Sequence, residues 1–181
     1  MRGHSHRLSA VRIAAVLAIL LGPDVARGEA SNIGEGGPVE LELARTSGLP
    51  AAIRIAILDA RRRLEDPRCR LILSEFQDGS GHALQERLDA IGHSGQSYLE
   101  WMLFYDGQEG RPCRDANVLA MTDPGSRIVF YCGQRLATLR RRSFGTLAGV
   151  VLHEELHSLG LAENPPSSLE ITQAVARHCG S

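Results

Sequence analysis

The chain lacks an apolar run long enough to cross a membrane. The apolar run near its start, residues 13–21, has nine residues, whereas a spanning helix needs about 20. Three arginines precede this run, and small residues follow it, with Ala26 and Gly28 at the minus-three and minus-one places of a cleavage site. This order is typical of a secretory signal peptide. We therefore expect residues 1–28 to be removed on export, although cleavage after Ala30 fits nearly as well, and we expect a secreted or periplasmic protein without stable membrane insertion.

Lysine is absent, and basic residues do not outnumber acidic ones. All 20 basic residues are arginine, beside 21 acidic residues. Without residues 1–28 the chain keeps 16 of these arginines and 20 of the acidic residues, a net charge of −4. A mildly acidic protein has no general electrostatic attraction for nucleic acid or anionic lipid. We therefore expect neither as a partner, and the sequence makes no prediction about the oligomeric state.

The four cysteines form no CxxC pair, which argues against a metal held by cysteine. An even number of cysteines in an exported chain favours disulfides, and four cysteines allow three pairings. We favour Cys113–Cys132, because these two flank one predicted hairpin. Cys69–Cys179 would then tie the end of an early helix to the last helix.

Neither an internal repeat nor a low-complexity tract is present, and the pattern of the chain indicates one α+β domain. Residues 29–48, rich in Gly, Glu and Ser, predict a loose N-terminal arm. Residues 49–181 predict helices first, then a small mixed sheet, then a long helix capped by Ser143 and a closing helix. The first helix stops at Asp66-Pro67, and its apolar stripe comprises Ile53, Ile57, Ala60 and Leu64.

Three runs in the middle of the chain predict strands. They are the aromatic-rich residues 98–105 and the apolar residues 117–121 and 127–131. The sequence Asp-Pro-Gly-Ser at residues 123–126 predicts a tight turn between the last two. The strand at residues 127–131 is either the sheet edge that lines a cleft or a buried strand, and the sequence leaves both interpretations open.

The motif HEELH, residues 153–157, carries the chemistry. His153 and His157 are four residues apart in a predicted helix, so both imidazoles lie on one face and can bind one ion. Glu154 is rotated by about 100° from His153. Its carboxylate can therefore stand beside a metal and accept a proton from water. Zinc suits these ligands. Glu155 is predicted to be a solvated helix residue.

The longer stretch HEELHSLGLAE resembles the extended HExxHxxGxxH signature of the metzincin branch of zincin metallopeptidases. In that family a glycine turns the chain, and a third ligand follows six residues after the second histidine. Gly160 and Glu163 stand at these two places. The resemblance implies a zincin-like fold and a zinc ion held by His153, His157 and Glu163, with Glu154 as the general base.

Two features depart from that family. Glu163 stands where metzincins usually carry histidine, although two histidines and a glutamate are an established set for catalytic zinc. The Met-turn is missing, since no methionine follows Met121. Glu170 competes with Glu163 because gluzincins take the third ligand from a later helix. Ser167 and Glu170, however, also form the pattern of a capping box that opens the last helix.

These observations favour an exported zinc-dependent peptidase that hydrolyses a peptide or protein substrate. The alternatives are a zinc-binding protein without turnover and a disulfide-stapled binding or structural domain without metal. The presence of Glu154 favours the enzyme, because zinc binding alone does not need it. Tyr105 and Tyr131 are candidate donors to an oxyanion. The remaining histidines considered are predicted to be structural or exposed: His82, His93 and His178.

Overall fold

The computed structural model describes residues 49–140 and 144–180, which form an α+β domain as the sequence predicts. The elements are α1 (Ala51–Arg63), α2 (Pro67–Arg70), α3 (Ile72–Glu75), α4 (Leu84–Ala90), α5 (Gly95–Leu99), β1 (Leu103–Asp106), a 3₁₀ helix (Pro112–Arg114), β2 (Ala120–Thr122), β3 (Ile128–Tyr131), α6 (Gly133–Arg140), α7 (Phe144–Ser158) and α8 (Ser168–Cys179). The predicted signal peptide (1–28), the arm (29–48) and the Ser143 cap lie outside the described residues. Within the described ranges, no helix is long and apolar enough to cross a membrane.

Helix α1 is the helix that the apolar stripe predicts. All four stripe residues are buried, and the helix ends at Arg63, four residues before Pro67, which opens α2 with Asp66 as its N-cap. Arg62, near the end of α1, is exposed. Arg63 is mostly buried and donates hydrogen bonds to the backbone oxygens of Gly145 and Gly180. Arg63 therefore joins α1 to the start of α7 and the end of α8.

The strand predicted for residues 98–105 is present only in the second part of that range. Tyr98 and Leu99 belong to α5, and only Leu103–Asp106 is a strand. Ser94 accounts for the difference, because it forms a capping box with Ser97 and so starts a helix in front of the aromatic run. The helix α6 is also present although the sequence pattern did not predict it.

The sheet has the strand order β1-β3-β2. β1 runs parallel to β3, whereas β2 runs antiparallel to it. The predicted turn between β2 and β3 is present: Ser126 donates its backbone N–H to Asp123 O, and Gly125 adopts a φ of +80°. The interpretation of residues 127–131 as the sheet edge is wrong, since β3 pairs on both sides. β1 and β2 hold the two edges of the described sheet instead.

The two faces of the sheet differ in burial. Val129 and Tyr131 of β3 point into the core, where they pack with residues of α1 and α7. The opposite face is apolar but open, with five side chains between 37% and 51% exposed. They are Leu103, Tyr105, Met121, Ile128 and Phe130.

Helix α7 lies at the centre of the domain. α1 packs along one side of it, and α8, α6 and β2 contact its other sides. Its residues Leu147, Leu152 and Leu156 are almost fully buried, and each such side chain stabilises the fold by about 1.5–3 kcal/mol relative to an exposed one. Polar groups on α7 are therefore carried by a firmly packed element.

Two disulfides cross-link the domain, and their pairing is the one that the sequence favours. Cys113–Cys132 joins the 3₁₀ helix to the residue after β3. Cys69–Cys179 joins α2 to the last residue of α8 across 110 positions of sequence. The second bond, together with Arg63, anchors α8 beside α7.

Candidate metal centre

His153 and His157 present their Nε2 atoms to the same point in space. The two atoms lie 3.0 Å apart, on successive turns of α7. His157 donates its Nδ1–H to the backbone oxygen of Leu161 at 2.7 Å, because a carbonyl oxygen can only accept. Nε2 of the neutral ring is then an unprotonated acceptor. Nδ1 of His153 meets the hydroxyl of Thr172 on α8 at 3.1 Å. Such partners on the second nitrogen orient imidazoles that bind metals.

Glu163 completes a cluster of three. Its Oε1 lies 3.3 Å from Nε2 of His157 and 3.7 Å from Nε2 of His153, and the ligand atoms of the three residues all lie within 4.8 Å of one another. Four-coordinate zinc with bonds of about 2.0–2.1 Å places neighbouring ligand atoms about 3.3 Å apart. The donor set and its spacing therefore fit a zinc ion.

Gly160 turns the chain so that Glu163 can face the histidines. Its φ is +111°, and the helix ends in a Schellman motif: Leu161 N–H bonds to Leu156 O, and Gly160 N–H to His157 O. A Cβ on Gly160 would approach Cβ of Asp78 to 3.0 Å. Both the backbone angle and the neighbouring loop thus require glycine here.

His153 is neutral in this environment. Its pKa is lowered to about 4, mainly by burial and also by the neighbouring His157, although the carboxylate of Glu163 opposes both effects. A neutral imidazole is the form that binds a metal, and it needs no proton release at neutral pH.

Glu154 lies beside the cluster and is only 5% exposed. Its pKa is raised to about 7, mainly by burial and also by the charge of Glu163, although the nearby Thr122 hydroxyl opposes both effects. Among the described residues, neither Oε2 of Glu154 nor Oγ1 of Thr122 has a well-formed hydrogen bond. A carboxyl group with a pKa near neutrality and a free oxygen has the properties of a general base.

Glu170 is not part of the cluster. Its carboxylate accepts from the backbone N–H of Ser167 at 2.8 Å, and its own N–H donates to the Ser167 hydroxyl, so the predicted capping box is present. The Ser167 hydroxyl and backbone N–H lower the pKa of Glu170. This role in opening α8 accounts for Glu170 without a metal.

The prediction for Glu155 is wrong. Its side chain is fully buried, and neither carboxylate oxygen has a partner. Burial raises its pKa well above the ordinary value. The reason is the packing of α7, which places the carboxylate of Glu155 beside Gly95 of α5, a residue that Leu64 and Leu73 also flank, instead of in solvent.

The other histidines have local partners away from the cluster. His178 bonds to Glu75, His93 packs on Trp101, and His82 is exposed beside Asp78. The two tyrosines proposed as oxyanion donors do not line the cleft at the cluster: Tyr105 lies on the open face of the sheet, and Tyr131 is buried in the core.

Thr122 and Thr172 are site residues that sequence reasoning missed. Both touch groups of the motif from other elements, and threonine at neither position carries a sequence signal of its own. Comparisons with family models, with curated protein sequences and with solved structures gave no significant match for this chain.

Proposed function

We propose that the protein is an exported zinc-dependent peptidase of the zincin type. The observation that carries the proposal is the convergence of His153, His157 and Glu163 at zinc-ligand spacing beside Glu154. A zinc ion at this position would lower the pKa of a bound water to about 7 and polarise a scissile carbonyl group. Two disulfides are compatible with an extracellular location.

The role of Glu154 is to accept the proton of the attacking water and to pass it to the leaving amine. Without metal, burial is the main reason that its pKa is raised to about 7; the charge of a bound zinc ion would lower the pKa and favour the carboxylate, which is the form that accepts the proton. The free Oε2 leaves room for the hydrogen bond that this transfer needs. Unlike Glu155, whose carboxyl group is fully buried in the core, Glu154 lines the cleft beside the cluster, where it can reach a bound water.

The edge strand supports a peptide as the substrate. Among the described residues β2 is paired only with β3, and residues 120–122 line the cleft that contains the cluster. An extended peptide can add to such an edge by backbone hydrogen bonds. The zincin-like architecture also agrees with the order of the elements, in which helices precede a small sheet and the motif helix follows it.

Metal analysis combined with a peptidase assay tests the proposal. The mature protein should hold one zinc ion per chain and cleave peptides of a mixed library, and chelation should abolish cleavage. The Glu154→Gln variant should keep zinc and lose at least 100-fold in cleavage rate. The matched variant Glu86→Gln, at an exposed helix position, should behave as the parent.

The other results separate the alternatives. Zinc without cleavage of any peptide would indicate a binding protein, and absence of bound zinc after growth with zinc would indicate a disulfide-stapled domain. Loss of zinc in Glu154→Gln would make Glu154 a structural residue.

A further inference from the structure

The cleft extends well beyond the metal cluster, along the first half of α7. The face of α7 that bears the histidines continues towards its N-terminus as Gly145, Thr146, Gly149 and Val150, all of which line the cleft. These positions follow the spacing of one helical face. From His153 back to Gly145 the distance along the helix is about 12 Å. We call this part of the cleft the α7 trough.

Two apolar walls enclose the α7 trough. Val118, Leu119 and Ala120 line it on the side of β2, and Val175 and Ala176 line it on the side of α8. The whole cleft has a volume of about 750 Å³, which is within the range of sites for small ligands. Among the described residues, the charged or titratable side chains in its lining all lie at the metal end: His153, Glu154, His157 and Glu163.

Gly149 keeps the trough open. It lies inside α7 with an ordinary helical φ, where glycine costs helix stability relative to alanine. A Cβ at this position would meet Cγ1 of Val175 at 3.9 Å, an ordinary contact. Packing therefore does not require glycine, and the effect of having it is the free space between α7 and α8.

The end of the trough next to the metal cluster carries the polar groups that a bound molecule would contact. Thr122 and Glu154 both line the cleft and are 6% and 5% exposed. Each has a side-chain oxygen without a hydrogen-bond partner. Buried polar atoms of this kind are usually satisfied. Thr122 and Glu154 are neighbours, and they can bond to each other or to a bound ligand.

We propose that the α7 trough binds one large apolar side chain of the substrate, such as leucine, methionine or phenylalanine, next to the bond that is cleaved. This inference rests on the proposed peptidase function. A peptide paired to the edge of β2 directs alternate side chains to one face, and on the side of α7 that face is the trough. A charged side chain would lose its hydration there and meet no partner. The trough therefore selects large apolar residues over aspartate, glutamate and arginine.

Sequencing the cleavage products of a peptide library with the zinc-loaded protein tests the selection. We expect at least tenfold higher kcat/KM for leucine, methionine or phenylalanine than for aspartate or arginine on one side of the cut. Gly149→Leu should fill the trough and shift the preference to alanine and glycine, and Gly149→Ala should do so partly. Ala137→Leu adds the same side chain at an exposed position of α6 and should leave the preference unchanged.

A binding experiment without catalysis separates this inference from the proposed function. The zinc-free protein is titrated with N-acetylphenylalaninamide and N-acetylaspartamide and followed by amide NMR. The apolar probe should shift the amide signals of Gly149 and Val175, and the acidic probe should not. Cleavage without the preference overturns the inference and leaves the peptidase intact. If no peptide is cleaved, the proposed function fails, and the titration alone decides: selective shifts support the trough, and equal or absent shifts overturn it.

Discussion

Replacing Glu155 by methionine should stabilise the protein, and the gain should grow with pH. Glu155 is buried in the core beside Gly95, which Leu64 and Leu73 also flank, and neither of its oxygens has a hydrogen-bond partner among the described residues. Methionine is also unbranched and of similar length, and it adapts to irregular apolar spaces. The substitution removes an unpaired polar group without leaving a cavity.

The magnitude has two parts. An unpaired polar group in the core costs about 1–3 kcal/mol, which the methionine variant recovers at any pH. The second part arises because burial raises the pKa of Glu155 in the folded state. Between the unfolded pKa of about 4.3 and the folded pKa, the folded chain binds one proton more than the unfolded chain, so the free energy of unfolding falls by about 1.4 kcal/mol per pH unit. This penalty is absent at low pH and grows as pH rises.

Urea unfolding of the metal-free protein at pH 5, 6 and 7 measures both parts. The free energy of unfolding of Glu155→Met should exceed that of the parent at each pH, and the difference should widen by about 1.4 kcal/mol per unit while the carboxyl group stays protonated in the fold. Glu155→Gln keeps an unpaired polar group but cannot titrate, so it should show only the widening. Glu86→Gln, at an exposed position, should show neither effect. A difference that is the same at pH 5 and pH 7 would refute the reasoning.

Three further predictions concern the site and its frame. Glu163→Ala should weaken zinc binding on the order of 100-fold, whereas Glu170→Ala should lower the free energy of unfolding by about 1 kcal/mol because a cap contact is lost. Zinc titration and thermal unfolding of both variants measure these effects. The reverse pattern would favour a gluzincin-like site. Gly160→Ala should destabilise the fold by about 1–3 kcal/mol through backbone strain, and it should weaken zinc binding. An unaltered zinc affinity would show that the turn at Gly160 does not position Glu163. Peptide mapping without reduction should recover Cys113 and Cys132 in one pair of linked peptides, and a link of either to another cysteine would contradict the pairing. Removal of this disulfide should lower the free energy of unfolding by about 3 kcal/mol.

The features that the sequence predicts well depend on local spacing. Two histidines four residues apart must share a helical face, and a glycine three residues after the second histidine ends the helix in a way that brings Glu163 back. The Cys113–Cys132 bond follows from the hairpin between the two cysteines, because adjacent antiparallel strands bring the residues just before and just after the hairpin close together. None of these needs knowledge of distant parts of the chain.

The features that the sequence does not predict depend on packing between distant elements. Glu155 looks solvated because its charge suggests a surface position, yet the packing of α1 and α5 against α7 buries it. The aromatic run at residues 98–105 has strand character, but the cap at Ser94 decides that its first part is helical. Whether β3 is central or at the edge depends on the pairing of β1 with it, which joins residues about 25 positions apart.

The position of α8 has a consequence for the order of events during synthesis. This last described helix supplies Thr172, which bonds to His153, and one wall of the α7 trough, and it is fastened by Cys69–Cys179. A nascent chain that has emerged only as far as Glu163 carries every proposed ligand but lacks the partner of His153 and half of the cleft. The site is therefore assembled only after translation has passed Cys179, and an incomplete chain cannot present a finished cleft to other proteins.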